Sequence, residues 1–205
     1  MRPKKLFVVT WPVLALSVLL FVVSVRSQEQ KPKVTTQVRP FDETRFPIAD
    51  YAAAAPTDRT ERAKEMARGK KYDNSAWGVH PNAVSDSTVR VDYVDPNLPA
   101  LPFKESSAVV VGQVTDAQAF LSNDKAGVYS VFTVQINEVL KNSTRTSLSP
   151  ASVVQVERDG GRVRFPNGRL HMYMISEYDM PKVGLRYVLF LNNDELGFQI
   201  ITGYE

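Results

Sequence analysis

Asn123-Asp124-Lys125-Ala126-Gly127, then Val128-Tyr129-Ser130-Val131-Phe132-Thr133-Val134-Gln135-Ile136-Asn137-Glu138-Val139-Leu140, is the stretch on which the fold turns. Turn chemistry comes first, because Asn and Asp side chains bond their own backbone and glycine takes positive φ at no steric cost. A strand follows. Val128, Phe132, Val134, Ile136 and Leu140 fall on one face, and Thr133, Gln135 and Asn137 fall on the other. Upstream, the segment Ala108 to Leu121 opens on Ala108-Val109-Val110-Val111, a continuous apolar run suited to a strand covered on both faces. Gly112 marks a bulge or a close approach of backbone. Two long strands joined by a short turn make a hairpin.

The pattern continues to the C-terminus. Lys141 to Pro150 is a polar loop, and Ser152 to Arg158 reads as a third strand. Asp159-Gly160-Gly161 is a tight-turn signal. Arg162 to Phe165 alternates charged and apolar, Pro166-Asn167-Gly168 turns again, and Leu170 to Ile175 reads as strand. Tyr187-Val188-Leu189-Phe190-Leu191 is a buried-type strand, Asn192 to Gly197 a hairpin loop, and Phe198 to Thr202 pairs back. Six or seven short strands with no long helical period between them predict a mainly β domain, a small antiparallel Greek-key barrel or sandwich. The long, bent first two strands favour an OB-like barrel.

Three runs carry a resemblance: VVVGQVTDAQAFLSNDKAGVYSVFTVQINEVLKN, ERDGGRVRFPNGR and GLRYVLFLNNDELGFQIITGYE. They resemble a group of uncharacterised bacterial exported, membrane-anchored proteins with a strand–turn–strand ending in V-L-K and a later G-x-x-Y-V-L-F-L strand. The likeness covers roughly Ser107 to Glu205. Its motifs are core and turn positions, so it implies a fold and no activity.

The first half of the chain reads differently. Arg2, Lys4 and Lys5 precede an apolar run from Leu6 to Val25, long enough as a helix to cross a bilayer and apolar on every face. Residues 1–27 are therefore expected to be a signal anchor, or a signal peptide cleaved after Val25-Arg26-Ser27. The expected location is the cytoplasmic membrane, single-pass with the C-terminal domain outside, or secreted or periplasmic after cleavage. Residues 28–103 read as linker, punctuated by Pro32, Pro40, Pro47 and Pro56. Within them lies one short basic helix near 57–70, with Asp58 and Glu61 at capping-box spacing. A short strand is predicted at Thr88–Val94. The β domain is placed at 104–205, with the apolar alternation almost wholly beyond Leu101.

Composition narrows the function classes. In 205 residues there is no cysteine, which removes disulfides, thiolate nucleophiles, Cys-based zinc sites and a lipidated cysteine. The formal net charge of +3 makes no whole-protein case for nucleic acid. The two histidines, His80 and His171, form no metal-ligand or nucleophile motif with their neighbours. Glu177 and Asp179 sit in a loop, where paired carboxylates could work as acid and base, and such pairs are usually solvated. No catalytic residue, metal or cofactor is expected.

Arg158, Arg162, Arg164, Arg169, Lys182 and Arg186 crowd into one stretch of the β domain. They suggest a surface for an anionic lipid headgroup or an envelope polymer. Charge that keeps an edge hairpin soluble is the plainer account. Nucleic acid is not expected, because aromatics do not interleave with these arginines on one face and the domain is expected outside. Two function classes follow: a membrane-tethered or exported envelope binding or scaffold module with a β-domain recognition surface, and an envelope hydrolase-type enzyme whose site the sequence does not identify.

Overall fold

The protein is described by a computed structural model covering residues 46–81, 86–91, 97–175 and 179–205. The anchor expected at Leu6–Val25 lies outside the described residues. Among the described residues no helix is long and apolar enough to cross a membrane.

In chain order the elements are β1 (Ile48–Asp50), α1 (Arg59–Lys70), β2 (Ser87–Val91), β3 (Ala108–Leu121), β4 (Val128–Asn142), β5 (Val153–Asp159), β6 (Gly161–Arg164), β7 (Leu170–Ile175), β8 (Arg186–Asp194) and β9 (Gly197–Tyr204). The fold is mainly β, in two sheets. One is a closed barrel of order β3-β4-β5-β9-β8, and the other a four-stranded sheet of order β1-β6-β7-β2. All barrel pairings are antiparallel except the β5–β9 seam, where only Val156↔Phe198 and Glu157↔Gln199 pair, in parallel.

The β3–β4 hairpin forms as its alternation predicts, with two local corrections. Phe132, Val134 and Ile136 point into the barrel core with Val110 and Val114. Leu140, expected on the same face, is 45% exposed. Asn137 causes this: Val111 pairs with Glu138 and Gly112 with Ile136, so Asn137 is an extra residue that reverses the alternation beyond it. Gly112 sits at that shift, and a Cβ there would lie 2.5 Å from Val134 Cγ1. Both readings of Gly112 therefore hold. In the turn, positive φ belongs to Lys125 (58°) and not to Gly127. Gly127 is required for space instead, since its Cβ would come within 2.4 Å of Tyr72 O.

Asp159-Gly160-Gly161 is not a hairpin turn. β5 pairs in the barrel and β6 in the other sheet. Gly160, at φ 101°, bends the chain from one sheet to the other where its Cβ would strike Tyr173 O at 2.7 Å.

The segment read as linker belongs, from Phe46 on, to the folded unit that runs from Asp42 to Glu205. β1 pairs in parallel with β6, and β2 in parallel with β7. Ala49, Trp77 and Val79 join Val128, Val163, Phe165 and Tyr173 in a second core beside the barrel. Tyr72, stacked on Tyr129, covers the outer face of β4 at that end, and β4 is buried on both faces over Val128–Phe132. The basic helix forms as predicted, with the Asp58 carboxylate accepting the Glu61 amide at 2.8 Å as N-cap.

Candidate functional site

The outer face of β4 and β5 gathers aromatic and charged side chains. Tyr129 projects outward from β4 and is fully buried between Tyr72, stacked at 4.4 Å and 9°, and Phe120 of β3, at 5.5 Å and 23°. The Tyr129 hydroxyl is buried without a hydrogen-bond partner. Burial pushes its ionisation well up, and the Glu65 carboxylate adds to that. Tyr72 is raised in the same direction by burial first, then by the charges of Glu157 and Asp159.

On β5 the alternation sends Glu157 and Asp159 to this face as well. Glu157 is 2% exposed and meets two cations from α1 and its C-terminal cap: Arg68 Nε lies 2.9 Å from Oε1 and Lys71 Nζ 3.0 Å from Oε2. The Arg68 contact is an ion pair without hydrogen-bond alignment, since Oε1 accepts no hydrogen bond. Lys71 also reaches Asp194 Oδ2, at 2.8 Å. Asp159 accepts from Trp77 Nε1 at 2.7 Å, yet burial outweighs that bond and raises its carboxyl above the usual range.

Helix α1 crosses this face and leaves an open groove of about 760 Å³ beside it. Phe120, Val131 and Leu196 supply apolar wall, Gln118 and Gln155 supply amides, and Glu61, Lys64, Arg68 and Glu195 supply balanced charge. On the other flank of α1 a smaller cavity of about 220 Å³ shares Phe120. Gln118 and Gln155 were invisible as site residues because they are ordinary outward positions of strands. Only the β3–β4–β5 curvature and the helix laid over it bring them together.

The β3–β4 turn is locked to the strap that follows α1. The Asp124 carboxylate accepts from Ser122 Oγ at 2.6 Å, from the Asn74 amide at 2.7 Å and from the Ala126 amide at 2.9 Å. The Ser122 bond first, then the Asn74 and Ala126 amides, bring its pKa down to about 2 from an ordinary 3.8. A carboxyl depressed by folding stabilises the fold above its unfolded pKa and loses that contribution as pH falls through the folded one. Wild type is therefore expected to melt above Asp124→Asn at pH 6, with the difference shrinking between pH 4 and pH 2. Thermal melts across that range check it, and a pH-independent difference would refute it.

The cations singled out from the sequence are spread. Arg158, buried on β5, and Lys182 line one cavity of about 260 Å³ with Asp179, Met180 and Tyr187. Arg164 and Arg169 are exposed and flank the β6–β7 turn. Arg162 is buried where β6 pairs with β1, and Arg186 is exposed at the start of β8. No one cavity or turn of the described residues gathers all six. Glu177 lies outside the described residues, and Asp179 is exposed. His171 sits edge-on to Phe165 at 5.1 Å with Nδ1 3.1 Å from Ser87 Oγ, so it packs the second sheet. Among the described residues no group of three His, Asp or Glu is placed to hold a metal.

Fold and site together define a barrel domain whose outer face is crossed by its own helix and scored by a mixed polar–apolar groove. Compared with models of known protein families, with curated proteins and with solved structures, the chain matches none.

Proposed function

We propose that this chain is a binding module of the cell envelope, tethered at the cytoplasmic membrane by Leu6–Val25, with an OB-like barrel outside that takes an envelope glycan on the face of β4 and β5. The groove beside α1 carries this reading. Numbered in chain order, the barrel strands run first, second, third, fifth, fourth. Five-stranded Greek-key barrels of the OB type bind oligonucleotides and oligosaccharides across their second and third strands, between the loop joining strands one and two and the loop joining strands four and five. The corresponding parts here are β4, β5, the turn at 122–127 and the loop at 195–196, and the groove draws Val131, Gln155, Glu195 and Leu196 from them.

Charge chooses among polymers. Glu61 and Glu195 offset Lys64 and Arg68, so a polyanion gains little net attraction. An uncharged chain of rings and hydroxyls suits the groove better, because Phe120 offers a face to a sugar ring and the Gln118 and Gln155 amides can serve its hydroxyls. Against an envelope hydrolase stands the use made of the buried carboxylates on β5: Glu157 is held by Arg68 and Lys71, and Asp159 by Trp77.

The test is titration of an N-acetylglucosamine tetramer into the full chain in detergent. Binding is expected, and Phe120→Ala should weaken it about tenfold, the effect of losing roughly 1.4 kcal/mol of stacking at a hot spot. Absence of binding at millimolar tetramer, or wild-type affinity in Phe120→Ala, would sink the glycan reading. Alkaline phosphatase fused after Glu205 should be active; an inactive fusion beside an active cytoplasmic reporter would sink the topology.

A further inference from the structure

Helix α1 is held to the barrel with little buried surface. Of its twelve residues only Gly69 is buried, and Met66, the largest side chain of its apolar face, is 57% exposed. Its hold on the barrel is polar and gathered at the C-terminal end. Arg68 Nη2 donates to Gln155 Oε1 at 3.0 Å, the Arg68 and Lys71 charges meet Glu157, and Asn123 Nδ2 donates to Met66 O at 2.9 Å. Among the described residues no hydrogen bond or ion pair ties residues 59–65 to the barrel. Cavities of about 760 and 220 Å³ flank the helix, and Phe120 lines both.

Such an element can leave without tearing a core. Its own signals travel with it: the Asp58 cap, the Glu61–Lys64 pair at 3.1 Å, acid in the first turn and base in the last. The strap after it stays fixed by other means. Tyr72 stacks on Tyr129, the Asn74 amide donates to Asp124, Trp77 donates to Asp159, and the Val79 amide donates to Ala126 O at 3.0 Å. The helix therefore has a firm anchor behind it and an ionic catch beneath it.

We propose that α1 is a displaceable cover over the ligand face of β4 and β5, with Glu157 as the catch that holds it closed. This rests on the reading of that face as the glycan site. The cations of the catch keep 24% and 17% of their surface exposed, so dissolved salt screens it and opening rises with ionic strength. In the closed state Arg68 occupies the Gln155 amide oxygen, so a bound chain and the closed helix compete for Gln155, and whatever loosens the catch tightens ligand binding by the same factor.

Hydrogen exchange of the α1 amides in the full detergent-solubilised chain reads the cover directly. In Glu157→Gln, residues 61–70 should exchange at least roughly tenfold faster, the scale expected when bonds to a charge are lost. Exchange in β3, β4 and β8 should stay as in wild type. Raising salt should accelerate α1 exchange in wild type and much less in the variant. A disulfide supplies the opposite arm, since the chain has no cysteine of its own. A Cβ at residue 69 would lie 3.2 Å from Asn123 Cγ and 3.3 Å from its amide nitrogen, within bridging reach for Gly69→Cys with Asn123→Cys. Oxidation should slow α1 exchange and weaken N-acetylglucosamine tetramer binding, and reduction should restore both.

If Glu157→Gln destabilises the barrel, Arg68→Gln substitutes for it, leaving the buried carboxylate paired with Lys71. Unchanged α1 exchange in both variants would overturn the cover while leaving the glycan site standing. Faster α1 exchange with no tetramer binding in any variant would overturn the glycan site, and with it the competition, while the helix still opens. Tetramer affinity unaffected by the disulfide would likewise overturn the competition.

Discussion

A chain beginning at Leu101 is expected to fail to fold cooperatively, whereas one beginning at Asp42 keeps a single sharp unfolding transition. The shorter chain retains every barrel strand, and by alternation alone it has all it needs. It loses Phe46 from the barrel core and Ala49, Trp77 and Val79 from the second core. Tyr129 loses Tyr72, one of the two rings stacked on it, Glu157 loses Arg68 and Lys71, and Asp159 loses the Trp77 donor. Trp77 alone measures the effect within the intact unit. It is 6% exposed, and truncating such a residue to alanine typically costs about 3–5 kcal/mol, a large part of a stability of about 5–15. Urea unfolding of the two chains and of Trp77→Ala is the measurement. A Leu101 chain as stable as the Asp42 chain would show that the second sheet decorates the barrel without supporting it.

Phe132→Asp is expected to unfold the domain, while Thr133→Asp leaves it folded at a cost of about 1 kcal/mol or less. Phe132 is fully buried on β4, paired across Ala117 and Val156 in the barrel interior. An aspartate there loses the ring's packing and must either desolvate its charge or bind a proton, at several kcal/mol. Thr133 is the next residue and points out of the barrel, where a carboxylate keeps its water. Circular dichroism and thermal melts of both variants decide the matter. Equal losses would mean that the strand faces are assigned the wrong way round.

That pair of residues also shows how much of the fold could be read without coordinates. The alternation of Phe132, Thr133, Val134, Gln135 and Ile136 placed each side chain on its proper face, because a strand repeats every two residues whatever surrounds it. It failed at Leu140, where the extra Asn137 reversed the phase. A bulge has no signature in polarity; it is set by how β3 and β4 register against each other. The Asp58 cap was legible for the same local reason as the strand, since its partner is three residues away.

The groove was not legible at all. Composition and periodicity by themselves established a mainly β C-terminal domain, the faces of its long strands, one capped basic helix and the turn that joins β3 to β4. They could not establish that Trp77 donates to Asp159, that Glu157 is ion-paired with Arg68 and Lys71, or that β1 and β2 pair with β6 and β7. Each of these joins residues more than eighty positions apart, and the two strand pairings run through strands of three and five residues that carry no repeating pattern. Local physics writes itself into neighbouring residues, so a sequence displays it. Pairings across the chain are chosen by which surfaces remain to be covered once the barrel has closed, and only the assembled barrel specifies those surfaces.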